Sequence, residues 1–126
     1  MNSGDTFLFK DGREDDHLWM IISDTGQDPE RLVIVRFLTW QSQYDQACVL
    51  QGGEHPFVKH ATCVDYFAAT LESNATLEQL RTDGHLKVRI PLSAELLGRI
   101  RACAINGDIS TKCIALLGNQ KLVDYP

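Results

Sequence analysis

The chain has 126 residues, 44% of them apolar, and 17 acidic against 12 basic side chains, a formal charge of −5 at neutral pH. That length suits one domain spanning residues 1–126 with one core. No apolar run approaches the ~20 residues of a bilayer-spanning helix, and MNSGDTFLF lacks a basic segment leading into an apolar stretch, so a cytoplasmic protein with no membrane contact is expected. Nine of the acids and only four of the bases fall in residues 1–50. A protein that coats DNA or RNA through a basic face is disfavoured by this balance, and no DNA partner is expected. A locally basic cleft is compatible with it, because the field depends on arrangement rather than on the sum.

In chain order, TFLF (6–9) is a short apolar strand, KDGREDD (10–16) a polar turn with Asp-Gly, and HLWMIIS (17–23) a second strand, together a hairpin with a charged tip. DTGQDPE (24–30) breaks the chain. RLVIVRFLT (31–39) is the most apolar strand, and QACVL (46–50), ATCVDYF (61–67) and HLKVRI (85–90) complete the sheet. The runs WMII and LVIV are nearly continuous, which implies burial on both faces, as in a small closed barrel. In SNATLEQLRTDG, Thr76 with Gln79 three residues on reads as a capping box, with Gly84 as the stop. In the last helix Ser93 is the expected N-cap, and Leu96, Leu97, Ile100 and Ala104 form an apolar stripe ending at Gly107. TKCIALLG (111–118) fits either a short strand or a helical end. The fold class is mainly β with α.

Cys48, Cys63, Cys103 and Cys113 are widely spaced, with no C-x-x-C pair, and read as free thiols of a reducing compartment. The stretch GGEHPFVKHATC (52–63) is chemically denser. Cys48, His55, His60 and Cys63 have the ligand types of a zinc site, but their spacing matches none of the usual patterns, so no metal is expected and the two cysteines should face the core. The same loop offers Phe57 as a stacking face, with His55, Lys59 and His60 as donors, the means by which unpaired RNA is held. Trp40 and Tyr44 extend that surface or pack inward.

The order GDTFLF, polar loop, HLWMIIS, LVIVRFLTWQSQYDQACVL, strand, short helix, then P-L-S-x-E-L-L-x-x-I resembles the MazF/PemK family of toxin proteins. The resemblance runs from Gly4 to about Leu117, on Gly4-Asp5 before the first strand, Thr39-Trp40-Gln41-Ser42 after the third, and Pro91-Leu92-Ser93 before the last helix. It implies a small SH3-like β-barrel of the MazF/PemK/CcdB type, usually a homodimer, that cuts single-stranded RNA with no metal or cofactor and is held in check by an antitoxin protein. The family's arginine at the start of the second strand falls on His17, with Leu18 where proline stands, and its threonine falls on Thr39. The Arg-Pro pair is thus absent. The resemblance makes His17 and Thr39 the catalytic candidates, with Arg13, Gln41, Ser42, His55, Phe57, Lys59 and His60 toward the substrate. A histidine can act as base or acid, whereas the arginine it replaces only donates and neutralises; Arg13 or Arg36 is the candidate substitute for the lost cation. The competing expectation is a barrel of the same architecture that binds a protein or small ligand and cuts nothing.

Overall fold

The computed structural model describes residues 1–10, 17–41 and 47–125. The expected hairpin tip at 11–16, with Arg13, lies outside them, as do Ser42 and Tyr44.

Strands β1 (Thr6–Phe9), β2 (Trp19–Ile21), β3 (Leu32–Thr39), β4 (Val49–Leu50), β5 (Thr62–Glu72) and β6 (Leu86–Arg89) form one antiparallel sheet in the order β4-β5-β3-β2-β1-β6. The near-continuous apolar runs arise because both faces are covered. Successive side chains of a strand point to opposite faces, so Leu18, Met20, Ile22, Val33, Val35 and Phe37 enter one core while Ile21, Leu32 and Ile34 enter another. The first core is closed by α2 (Ala94–Cys103) and α3 (Thr111–Asn119), the second by α1 (Asn74–Thr82) through Leu77. Each fully buried Leu, Ile or Phe contributes about 1.5–3 kcal/mol.

Helix boundaries refine the expectations. Helix α1 starts three residues earlier than the Thr76 reading: Ser73 is the N-cap, and its hydroxyl accepts from the Thr76 amide. Thr76 is the third residue of the helix rather than the residue before it. Ser93 caps α2 as expected, and TKCIALLG is helical, capped by Ser110. An apolar face of Cys113, Ile114, Leu116 and Leu117 buried against the sheet settles it as α3.

Two features shape the sheet. Between Ile34–Thr70 and Arg36–Asp65 the pairing of β3 with β5 shifts, so that Tyr66–Ala69 stand opposite Val35 alone. Tyr66 turns inward from this bulge and donates its hydroxyl to the Ile100 carbonyl at 2.6 Å, while Phe67 is 77% exposed. The ends of the sheet also approach each other. His55, on the loop after β4, donates through Nε2 to the carbonyl of Ile90, just past β6, at 2.9 Å, and the Thr6 hydroxyl donates to the same oxygen at 2.6 Å. Strands β4 and β6 share no backbone ladder among the described residues; a side chain bridges the gap. Among the described residues, no helix is long and apolar enough to cross a membrane.

Candidate functional site

The loop from Gln51 to Ala61 carries most of the candidate side chains, and its shape follows from local chemistry. Gly52 allows the turn to close: a Cβ there would lie 2.8 Å from the Lys59 carbonyl oxygen. The Gly53 amide donates to the Val58 carbonyl at 2.8 Å, and Val58 is buried in the first core. Glu54 forms an ion pair with Arg99 of α2, whose guanidinium also donates to the Val49 carbonyl at 2.7 Å. Arg99 holds the Glu54 carboxyl below the usual range, helped by the Gln51 amide, and Glu54 in turn raises Arg99.

His55 is 5% exposed and both ring nitrogens are engaged. The Phe57 amide donates to Nδ1 at 3.1 Å, so Nδ1 must carry the lone pair, and Nε2 carries the proton given to Ile90. One tautomer satisfies both bonds. His55 therefore sets the loop against β6. Cys48 and Cys63 are buried, and no group of three or more His, Cys, Asp or Glu fit for a metal occurs among the described residues. Burial, and then a hydrogen bond with the Cys103 thiol, push the Cys48 thiol up to about 12.

His17 precedes β2 and is tied to β3. A carbonyl only accepts, so the 3.1 Å contact between His17 Nδ1 and the Phe37 carbonyl makes Nδ1 the protonated nitrogen and leaves the lone pair of the neutral ring on Nε2. His17, Phe37, Leu38, Thr39, Phe57, Lys59, His60 and Thr62 line one cavity of about 380 Å³. The structure thus brings five predicted residues together: His17, Thr39, Phe57, Lys59 and His60. Thr62, whose hydroxyl donates to the His60 carbonyl at 2.9 Å, was not foreseen; it looked like ordinary strand sequence. A second cavity of about 360 Å³, lined by His55, Pro56, Phe57, Lys59, Arg89 and Ile90, shares Phe57 and Lys59 with the first.

Other candidates fall elsewhere. Gln41 is exposed and lines neither cavity, and Arg13 and Ser42 lie outside the described residues. Arg36 is no substitute for the missing cation at His17. It pairs with Asp65 at 2.9 Å and lies 5.7 Å over the Trp19 ring, outside the cavity lining. Trp40 has its indole nitrogen buried and unpartnered among the described residues, which places that edge against protein rather than toward a ligand.

Compared with protein-family models, curated proteins and solved structures, the chain matches none. The reading of the site therefore rests on its own geometry. Two imidazoles, an ammonium group, two threonine hydroxyls and two phenylalanine rings around a single opening constitute a set able to bind a phosphodiester and move protons at it.

Proposed function

We propose that the chain is a metal-independent endoribonuclease acting on single-stranded RNA, a divergent MazF/PemK-like toxin in which histidine chemistry takes the place of the Arg-Pro pair. One observation carries this reading: His17 and His60 line the same cavity as Lys59 and Thr39. Cleavage by the RNA's own 2′-hydroxyl needs a base, an acid and stabilisation of phosphorane charge. His17 Nε2 takes the 2′-hydroxyl proton, O2′ attacks phosphorus, and the bond from phosphorus to O5′ breaks. His60, in its protonated form, gives O5′ its proton. The products are a 2′,3′-cyclic phosphate and a 5′-hydroxyl end. Lys59 and the Thr39 hydroxyl donate to the non-bridging oxygens, and Phe57 supports an adjoining base.

The architecture that accompanies this reading is a small SH3-like barrel, supported by the approach of the sheet's ends at His55 and Ile90. Its proposed partners are an antitoxin protein and a second copy of the chain.

The test is incubation of purified protein with single-stranded RNA in EDTA. Expected are cleavage with cyclic-phosphate ends, none at a position carrying 2′-deoxyribose, and a loss of about 10²–10⁴-fold in rate for His17→Ala and for His60→Ala. Intact RNA at high protein concentration, or 5′-phosphate products, overturns the proposal.

A further inference from the structure

Among the described residues the arginines are almost all committed. Arg31 pairs with Asp28, Arg36 with Asp65, Arg81 with Glu78 and Arg99 with Glu54, while Arg101 donates to the Ile22 carbonyl at 2.7 Å. Arg89 is the exception among the described residues: it is exposed and has neither a carboxylate nor a carbonyl partner. Lys59 also stands without an acidic partner among them. In a chain with five more acids than bases, two unneutralised cations on the wall of one cavity are a specific arrangement.

Beside them lies an apolar shelf. Ile90 is 57% exposed, a large aliphatic side chain left in water, and Pro56 and Phe57 line the same cavity. The shelf is held in place: the Ile90 carbonyl accepts from both His55 and Thr6, and the Glu54–Arg99 pair anchors the loop to α2. The volume of about 360 Å³ falls within the roughly 300–1,000 Å³ of small-ligand sites.

We propose that this cleft, between the loop at 55–59 and the end of β6, is a second nucleotide subsite, taking a base on Phe57 and Ile90 and a phosphate between Lys59 and Arg89. It rests on the reading of the neighbouring cavity as an RNA site, and it says where the strand goes next. The two cavities share Phe57 and Lys59, so a strand leaving the first passes an aromatic face and a cation on entering the second. Successive bases on apolar or aromatic faces, with the backbone tracked by cations, are how unpaired nucleic acid is held. A phosphate favours arginine because the planar guanidinium bonds it bidentately.

The experiment titrates wild-type protein, Arg89→Ala, Arg89→Lys and Lys87→Ala with adenosine 5′-monophosphate and with a fluorescent 2′-deoxy trinucleotide, which lacks the attacking hydroxyl. Lys87 is the control: it lies two residues away on the same strand face and lines neither cavity. Expected are shifts of the amide resonances of residues 55–59 and 89–90 on adding the monophosphate. Arg89→Ala should weaken both ligands by about tenfold, Arg89→Lys should weaken them less, and Lys87→Ala should bind as wild type. The proposal is overturned if the monophosphate leaves those resonances in place, or if Arg89→Ala binds as Lys87→Ala does. It is equally overturned if polyglutamate perturbs the same amides while the monophosphate does not, which assigns the cleft to an acidic protein segment. Binding through Arg89 with no RNA cleavage sinks the nuclease reading alone; His17-dependent cleavage with unaltered binding by Arg89→Ala sinks the second subsite alone.

Discussion

His55 and His17 show how one carbonyl can assign a role to a ring. Both meet a backbone oxygen, but through different nitrogens: His55 gives its Nε2 proton to Ile90 and spends Nδ1 on Phe57, whereas His17 gives its Nδ1 proton to Phe37. The first is a structural clasp; in the second the bond fixes the tautomer, with the lone pair of the neutral ring on Nε2. From sequence His17 was a catalytic candidate and His55 a substrate contact, and the clasp made by His55 was not visible because residue type can be read there and hydrogen-bond partners cannot. Thr39 and His17 were legible as a pair only through the family resemblance. Arg89 was not legible at all, since alternation in HLKVRI says that it is exposed but not that a loop some thirty residues upstream arrives beside it. The thiols give a prediction at the same scale. With the Cys48 thiol raised to about 12 and buried, iodoacetamide at pH 8 should label Cys103, which is half-buried, well before Cys48. Peptide mass spectrometry with and without urea reads the order; Cys48 labelled first in the native protein contradicts it.

Among the elements, the continuous apolar runs announced strands covered on both sides, and the structure explains them by helices on each face. The start of α1 was misread for a local reason. In S-N-A-T both Ser73 and Thr76 are cap formers, and the choice depends on backbone dihedrals: Ser73 is extended, with φ −82° and ψ 150°, and Thr76 is already helical. The consequence is measurable by urea denaturation. Ser73→Ala should lose about 0.5–2 kcal/mol, and Thr76→Ala less, since Ser73 uses the Thr76 amide, which alanine keeps. Equal losses would restore Thr76 as the cap. The bulge in β5 left no mark in the sequence, because TCVDYFAATLE alternates no more regularly than a strand buried at one end and exposed at the other.

At the scale of the molecule, Asp28, Glu54, Asp65 and Glu78 pair with arginines, and the Glu54–Arg99 pair fastens the candidate site to the helical layer. Glu54 titrates below its ordinary range when folded, so its contribution is present above about pH 4.5, the ordinary glutamate value, and fades as pH falls through the folded value. Glu54→Gln should therefore lower the urea midpoint at pH 7, and the difference from wild type should narrow as the pH falls below about 4.5. A difference that does not narrow at all as the pH falls below about 4.5 would mean that shape rather than charge is responsible. The meeting of the sheet's two ends has a consequence of another kind. Where His55 reaches Ile90 the link is a side-chain hydrogen bond instead of a row of peptide pairings, and it can part at a cost of only about 0.5–1.5 kcal/mol with every strand pairing left whole. His55 and Ile90 both line the second cavity, so giving up that one bond would loosen the cavity's wall without unpairing a strand.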